Sequence, residues 1–166
     1  QGYALTLRCG RDVEKSYTLQ AAVITAANIA NKCFPGAVRV ITDEKSMSAP
    51  LLIWPSLKLT FGQALAFFLG PQGSAGNSHP GDHHIVFGDA RPARGALRVT
   101  FDGWVAKAGP VDMVERLPER ELCSLSGIVA AALAISELFL SFAEINVEAT
   151  RRTVGLSLWH PELDIT

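Results

Sequence analysis

The stretch CSLSGIVAAALAISELFLSFAE, residues 123–144, decides the fold of this chain. From Leu125 to Ala143 its residues are almost all apolar, and Glu137 is the one charged side chain among them. Glu137, Ser141 and Glu144 are spaced at i, i+4 and i+7, which places them in one narrow polar stripe along a helix. The pattern predicts a long buried helix around which the rest of the domain packs.

A membrane-spanning helix is the alternative interpretation, since the nineteen residues from Leu125 to Ala143 just suffice to cross a bilayer. Small residues such as Gly127, Ala131 and Ala134 bury little apolar surface, and no Lys/Arg cluster flanks either end. We therefore predict a buried helix and no membrane association. Because these small residues share one helix face, they predict close contact with a sheet or with a second helix, for example in a homodimer.

Length and composition indicate one globular domain. The 166 residues are 48% hydrophobic and 19% charged, with a net charge of −1, which is enough chain for one substantial core. We assign residues 1–160 to a single α/β domain and residues 161–166 to a polar tail or linker. A near-neutral chain argues against nucleic acid as a partner, because phosphate binding requires a concentrated basic face. The densest basic groups, interpreted as solvated surface, are Arg91/Arg94/Arg98 and Arg151/Arg152.

The cysteines and the N-terminus predict a cytoplasmic protein. Cys9, Cys33 and Cys123 are odd in number and far apart, which favours buried, reduced thiols over disulfides. There is no CxxC pair for structural zinc, and the start of the chain lacks the basic and apolar regions of a signal peptide. The chain begins with Gln1 rather than Met, which predicts a processed or trimmed chain.

The first part of the chain has the strand–helix–strand order of a parallel sheet. Residues 3–9 alternate as a strand does, and residues 19–33 keep the helical period, with Thr18 as the predicted cap. Residues 37–41 form the next predicted strand, which completes a right-handed βαβ unit. The predicted elements that follow are a helix over residues 61–69, introduced by Thr60, and a buried strand over residues 84–87.

The second part of the chain predicts an antiparallel hairpin. Between Leu97 and Ala108 apolar and polar residues alternate on both sides of Asp102-Gly103, a favoured pair for a two-residue turn. Asn146 predicts the end of the long helix, and residues 154–158 alternate as a last strand. Together these patterns predict a three-layer, Rossmann-like α/β fold with a mainly parallel sheet plus an antiparallel hairpin.

A nucleotide site in such a fold would lie at the carboxyl edge of the parallel strands. It would require G-x-G-x-x-G after the first strand, where only Gly10 is present. Asp43 follows the second strand, at the place of a ribose-binding acid, and Asp89 follows a later one. An alternative interpretation is therefore a nucleotide-dependent enzyme that binds ATP through Gly10, Asp43 and Asp89, although a turn or cap role suits Asp43 better.

A histidine-containing loop is the candidate for metal binding. His79, Asp82, His83 and His84 lie close together at the end of the Gly/Pro-rich segment 70–81. A metal needs converging ligands, whereas neighbouring His83 and His84 point apart if they begin a strand. We predict a solvated loop and no metal site.

No residue meets the requirements of a catalytic nucleophile. Ser124 and Ser126 lie outside any G-x-S-x-G motif, and N-capping of the long helix explains them better. Cys123 at the helix start could have a lowered pKa, but no base accompanies it in the sequence, so we predict a buried residue. The tryptophans, interpreted as core or interface anchors, are Trp54, Trp104 and Trp159.

Two stretches resemble a known protein family. SGIVAAALAISELFLSF, residues 126–142, resembles the helix that follows the crossover region in ThiF-type, ubiquitin-activating-enzyme-like adenylyltransferases. VGLSLWHPELD, residues 154–164, resembles a stretch found in bacterial ThiF-family proteins ahead of their active adenylation domain. The resemblance implies a Rossmann-like sheet on which this helix packs, and a helix that often helps to form the dimer. It assigns no adenylation-site residue to a numbered position, since the glycine cluster after the first strand is absent.

The resemblance therefore implies an inactive, Rossmann-like partner half of an activating enzyme. Such halves support an adenylating domain and shape the binding surface for a ubiquitin-like protein. We expect a non-catalytic ThiF-like domain that acts through association with a protein partner or with a second copy of itself, without a bound cofactor. The nucleotide-dependent enzyme is the alternative.

Overall fold

A six-stranded mixed sheet forms the centre of the computed structural model, which describes residues 4–70 and 82–165. In chain order the strands are β1 (Leu5–Cys9), β2 (Val38–Ile41), β3 (His83–Phe87), β4 (Leu97–Asp102), β5 (Val105–Pro110) and β6 (Val154–Ser157). They lie in the order β2-β1-β3-β4-β5-β6, with β2, β1, β3 and β4 parallel and the β4–β5 and β5–β6 pairs antiparallel. This arrangement confirms the predicted α/β fold with a mainly parallel sheet and an antiparallel hairpin.

The helices that the described residues form pack mainly on one face of the sheet, so these residues form one helix layer and one sheet layer where three layers were predicted. They are α1 (Tyr17–Cys33), α2 (Glu44–Ser48), α3 (Phe61–Leu69) and α4 (Ser124–Phe142), and short 3-10 turns cover Arg11–Glu14 and Pro55–Leu57. α1 and α4 lie side by side, and α3 packs against α1. Buried residues occur almost all round α1 because it lies among the sheet, α4 and α3.

Each strand sends alternate side chains to opposite faces of the sheet. Leu5 and Leu7 of β1 enter the core beneath α1 and α4, with buried counterparts in β2 to β5. The opposite face carries more polar side chains, such as Thr6 and Arg8. There the connector between β5 and α4 crosses Thr100, since the Leu117 N–H donates to the Thr100 hydroxyl oxygen at 3.0 Å.

Two predicted helix caps are wrong. α1 begins two residues earlier than predicted, because the Ser16 hydroxyl oxygen accepts from the Leu19 N–H at 3.0 Å, while Thr18 is buried. α4 begins after Cys123, which makes no side-chain cap bond, and Ser126 instead donates its hydroxyl to the Cys123 carbonyl at 2.7 Å. The predicted cap at Thr60 of α3 is confirmed as a capping box with Gln63.

The end of α4 and the hairpin turn differ from prediction by a few residues. α4 ends at Phe142 because Glu144 adopts a left-handed backbone, with φ of 55°, so the chain has turned before Asn146. In the hairpin, Asp102 pairs with Val105, so the two-residue loop is Gly103-Trp104 rather than Asp102-Gly103. Arg120 holds Asp102 in the strand by donating from its guanidinium Nε at 2.8 Å, and Gly103 supplies the positive φ of 57°.

α4 is a core helix in this fold. By length and composition alone it would be able to cross a bilayer, and 44% of its most apolar window is buried within the described chain. The buried side includes Ala130, Ala134 and Ile135, which pack among α1, β4 and β5. This agrees with the prediction of a buried helix, while the absence of membrane association stays a prediction.

The one charge of α4 is neutralised inside the domain. Glu137 is buried, and its carboxylate accepts from the Arg152 guanidinium at 2.8 Å and from the Thr150 N–H at 3.0 Å. The prediction that Arg152 is merely solvated surface is therefore wrong. A buried carboxylate requires such partners, since its desolvation would otherwise oppose folding.

The small residues of α4 serve a contact within the chain. A Cβ atom at Gly127 would lie 2.7 Å from the Thr18 methyl carbon and 3.0 Å from the Thr18 carbonyl oxygen on α1. Ala22 of α1 would be 3.4 Å from the same point. Gly127 thus allows α1 and α4 to approach closely, so the helix–helix contact predicted from this face is internal.

We expect Gly127→Ala to destabilise the domain by about 1–3 kcal/mol, because the added methyl group meets the backbone of α1. Helix propensity alone predicts the opposite sign, a gain of about 1 kcal/mol for Gly→Ala. Urea unfolding of the purified chain measures the difference. Ser136→Ala, at an exposed position of α4, is the matched control. A Gly127→Ala variant as stable as the control would contradict the close crossing.

Candidate functional site

The three candidate cofactor-binding residues lie at one edge of the sheet. Gly10 follows β1, Asp43 follows β2 by two residues, and Asp89 follows β3 by two residues. Because these strands are parallel, their carboxyl ends share this edge, where α/β folds bind ligands. The three residues therefore lie at the predicted edge. Which ligand this edge could bind depends on the side chains that surround them.

The space around Gly10 is filled by acidic side chains. A Cβ atom at Gly10 would lie 1.8 Å from an Asp89 carboxylate oxygen, and one at Gly88 would lie 2.1 Å from an Asp12 carboxylate oxygen. Gly88 also has a positive φ of 62°. Both glycines therefore make room for Asp12 and Asp89, whereas the glycines of a nucleotide-binding loop make room for phosphates.

Asp12 is the centre of this acidic group. Its carboxylate accepts from the Asp89 N–H at 3.0 Å and bonds Arg116, which also pairs with Glu119. Its other oxygen is buried without a hydrogen-bond partner in the described chain. Burial raises the pKa of Asp12, and the negative charge of Asp89 adds to that rise, while the Asp89 N–H and Arg116 oppose it. A second anion brought to this point would be repelled.

Asp43 has a structural explanation. Its carboxylate caps α2 by accepting from the Ser46 N–H at 2.7 Å, and it accepts from the Arg11 Nε at 2.6 Å. The hydrogen bonds from Ser46 hold the pKa of Asp43 below its usual value, with a smaller contribution from Arg11. An open cavity of about 510 Å³ beside it is lined by charged residues, among them Glu44 and Lys45.

The carboxylate of Glu121 occupies the N-terminus of α1. Sequence reasoning missed this contact. The Glu121 carboxylate accepts from the Thr18 N–H at 3.0 Å and from the Ser16 hydroxyl, and the Tyr17 hydroxyl donates to the Glu121 carbonyl at 2.7 Å. Nucleotide phosphates bind at this point in Rossmann-like folds. No local motif signals the contact, since Glu121 and Thr18 are 103 residues apart.

The candidate metal ligands diverge in the structure. His83 packs its ring 4.4 Å from the Phe142 ring of α4, whereas His84 lies on the opposite face of the sheet beside Thr6. Asp82 accepts from the Thr6 hydroxyl at 2.9 Å and pairs with Arg39. His79 lies outside the described residues. Within residues 4–70 and 82–165, no group of three or more His, Cys, Asp or Glu residues could hold a metal.

The cysteines and tryptophans differ in part from expectation. Cys9 is buried, and burial raises the pKa of its thiol, but Cys33 is exposed and Cys123 is only half-buried, so the prediction that all three are buried is wrong. No disulfide forms among them. Trp104 and Trp159 are both exposed and contact each other outside the core, with ring centroids 5.4 Å apart and ring planes tilted by 52°.

A second feature of the surface is an apolar groove beside α3, which we call the α3 groove. It has a volume of about 370 Å³, and its lining includes Leu51, Trp54, Leu57, Leu59, Phe67 and Phe68. Phe67 is 82% exposed. Trp54 also lines a neighbouring cavity of about 340 Å³ that reaches Ile128 of α4. The α3 groove therefore combines a concave, largely apolar lining with exposed large side chains.

The pKa of Asp12 predicts a signed pH dependence of stability. A raised pKa in the folded state stabilises the fold below the unfolded value, about 4, and this stabilisation is lost as pH rises through the folded pKa. The quantity to compare is the unfolding free energy of the wild type minus that of Asp12→Asn. We expect this difference to fall as the pH rises from about 3 to about 7. Urea unfolding over this range measures it.

Asp43→Asn is the control of opposite sign. The lowered pKa of Asp43 stabilises the fold at pH values above the unfolded pKa, and this stabilisation is lost as pH falls. The unfolding free energy of the wild type minus that of Asp43→Asn should therefore rise with pH. A difference for Asp12→Asn that rises with pH as well would contradict the assigned effect of burial.

Comparison with known proteins places the chain in a family. A profile of the BilD N-terminal domain matches residues 4–158. A curated protein of Collimonas sp. (strain OK412), named bacterial E1-like protein BilD, is 32% identical over 166 residues. The match covers 99% of this chain and 35% of that protein, so the chain spans about a third of the length of its relative. The expected resemblance is confirmed at the level of an E1-like family, and the chain belongs to the BilD N-terminal domain family.

Proposed function

We propose that this chain is a non-catalytic, ThiF-like domain of an E1-like system. It supports an adenylating domain or partner, for a ubiquitin-like protein, through protein association. We further propose that it works in the bacterial cytoplasm, bound to a protein partner or to a second copy of itself, and without a nucleic acid, a membrane or a cofactor of its own.

One observation carries the non-catalytic part of the proposal. The Glu121 carboxylate takes the hydrogen bonds at the N-terminus of α1 that a nucleotide phosphate would need. Asp12 and Asp89 fill the space at Gly10, where phosphates would otherwise approach the backbone. A polyanion such as ATP would have to displace three carboxylates from this edge, against their charge.

The α3 groove supports the association part of the proposal. Its side chains are large and apolar, and Phe67 and Leu57 are both more than half exposed. Covering such side chains with protein removes apolar surface from water at about 25 cal/mol per Å². The relative in Collimonas is about three times as long as this chain, so in that protein further chain is available to cover the groove.

The first test is calorimetric titration of the purified chain with Mg·ATP. We expect no binding, because the phosphate positions hold carboxylates. Glu121→Gln serves as a comparison, since it removes the charge while it keeps an oxygen for the Thr18 N–H. Micromolar binding by the wild type, lost on Asp43→Ala, would favour the nucleotide-dependent enzyme.

The second test measures association through the α3 groove. This chain is mixed with the separately produced part of the Collimonas protein that it does not match, and the mass is measured by light scattering after size exclusion. We expect a joint species that Phe67→Asp disrupts, because a charge in an apolar interface is desolvated. Ser136→Ala is the matched control. Persistent separation of the two chains, or a joint species unaffected by Phe67→Asp, would contradict this use of the groove.

A further inference from the structure

The segment between α2 and α3 is held in one conformation by hydrogen bonds at its base. The Leu51 N–H donates to the Leu59 carbonyl oxygen at 2.9 Å, and the Phe61 N–H donates to the Ala49 carbonyl oxygen at 2.9 Å. Residues 52–58 form the loop that these pairs close. Large apolar side chains of this loop and of α3 line the α3 groove, so one wall of the groove is a closed turn of the chain.

A buried glutamine holds the same segment from the core side. Gln20 of α1 is wholly buried, and its side-chain Nε2 donates to the Pro50 carbonyl oxygen at 3.1 Å and to the Val13 carbonyl oxygen at 3.2 Å. Its side-chain oxygen accepts from the Leu52 N–H at 2.7 Å. Because the loop is fixed in this way before a partner arrives, binding in the groove costs less conformational entropy.

The lining of the α3 groove favours a helix over an extended segment. Ser56 is the one polar residue among its described lining residues, and the Leu51 and Leu57 N–H groups already donate to carbonyl oxygens of the chain itself. An extended segment would lose water from its own N–H and C=O groups without gaining partners here, which opposes binding. An α-helix bonds these groups internally and can present an apolar face to such a lining.

Trp54 provides two positions for apolar side chains of that helix. It lines both the α3 groove, on the side of Phe67 and Phe68, and the neighbouring cavity, on the side of Tyr17 and Ile128. Helix residues at i and i+4 or i+7 share one face. A helix that crosses Trp54 can therefore place one large side chain on either side of the indole ring.

Lys58 supplies the charge at the rim of the groove. It is exposed between the lining residues Leu57 and Leu59, and it is the only charged residue from Ala49 to Gly70. In residues 4–70 and 82–165, no carboxylate pairs with it. An Asp or Glu beside the apolar face of a bound helix would match this charge, whereas a Lys or Arg there would be repelled.

The turn itself does not explain a lysine at this position. Lys58 has a left-handed backbone, with φ of 50°, which Gly or Asn adopts at a lower cost. A side chain that the local backbone disfavours is consistent with a use outside the turn.

A second copy of this chain does not supply the matching helix. α1 and α3 contain no Asp or Glu, and the one carboxylate of α4, Glu137, is buried. α2 carries Glu44, but its five residues make a helix only about 7 Å long, too short to cross Trp54. The occupant with this chemistry therefore belongs to another protein or to another domain.

We propose that the α3 groove binds an amphipathic α-helix that places a large apolar side chain on either side of Trp54 and pairs an Asp or Glu with Lys58. This inference rests on the proposed function, since it names the kind of element through which the adenylating domain or partner enters the groove.

The probes are two fluorescein-labelled peptides of about 18 residues, which is five helical turns. Both have Leu along one face and Ala elsewhere, and they differ only in the residues that flank the Leu face, which are Glu in one and Lys in the other. Anisotropy measures their binding to the 166-residue chain, and circular dichroism measures their helicity. We expect the acidic peptide to bind about threefold more tightly or better, with a difference that shrinks as salt is added.

A charge reversal tests the role of Lys58. Lys58→Glu should reverse the preference, so that the basic peptide binds more tightly. Glu suits the left-handed backbone as well as Lys does, since Glu119 and Glu144 have φ of 56° and 55° in this same chain. Arg94→Glu makes the same change of net charge in an exposed loop and should keep the wild-type preference.

A central proline in the acidic peptide tests the helix. It should weaken binding about tenfold or more, because proline breaks the helix and leaves backbone groups without partners. Phe67→Asp should weaken the binding of both helical peptides, because it places a charge in the apolar groove. Urea unfolding establishes that Lys58→Glu is folded. If it is not, Lys58→Asn, which suits the left-handed backbone, decides the matter by removing the preference or keeping it.

Four results would overturn the inference: no binding of either helical peptide, equal affinity of the two, a preference that survives the change at Lys58, or undiminished binding of the proline peptide. The mixture with the unmatched part of the Collimonas protein separates this inference from the proposed function. A joint species that depends on Phe67 but is unaffected by Lys58→Glu would contradict the paired carboxylate and leave the proposed function standing. The absence of any joint species would contradict the proposed function itself.

Discussion

The burial of α1 on nearly every side is the constraint on which the rest of the structure depends. A helix enclosed by a sheet and two other helices must have small side chains where its neighbours cross it. α1 meets this requirement with a series of buried alanines, and α4 contributes Gly127 at the crossing point. From this position beside α1, α4 also packs on β4 and β5.

Most of the secondary structure could be predicted from local patterns. The helical period of residues 19–33, the apolar run of α4 and the alternation of residues 97–108 each depend on neighbours in the sequence, which is why they were identified. The errors fall where a long-range contact decides a local detail. Thr18 looked like a cap but lies buried against α4, and Arg120 fixes Asp102 in its strand and moves the turn by one residue.

The sequence predicted which residues lie at the carboxyl edge of the sheet, but it did not predict which side chains surround them. Strand order alone puts Gly10, Asp43 and Asp89 there. The environment around Gly10 and Asp89 depends on Asp12 and its partner Arg116, and the N-terminus of α1 is occupied by Glu121. Arg116 and Glu121 lie in a connector about a hundred residues after β1 and have no recognisable motif. Around Gly10 and Gly88, the edge that binds ligands in many α/β folds is here filled by carboxylates of the chain itself.

The contacts between the β5–α4 connector and the start of the chain have a consequence for folding. Glu121 and Thr18 are 103 residues apart, and Arg116 and Asp12 are 104 residues apart. Contacts over such separations form only after the loop-closure entropy has been offset, and they slow folding for that reason. The carboxyl edge of the sheet can therefore be completed only after these two distant parts of the chain have come together.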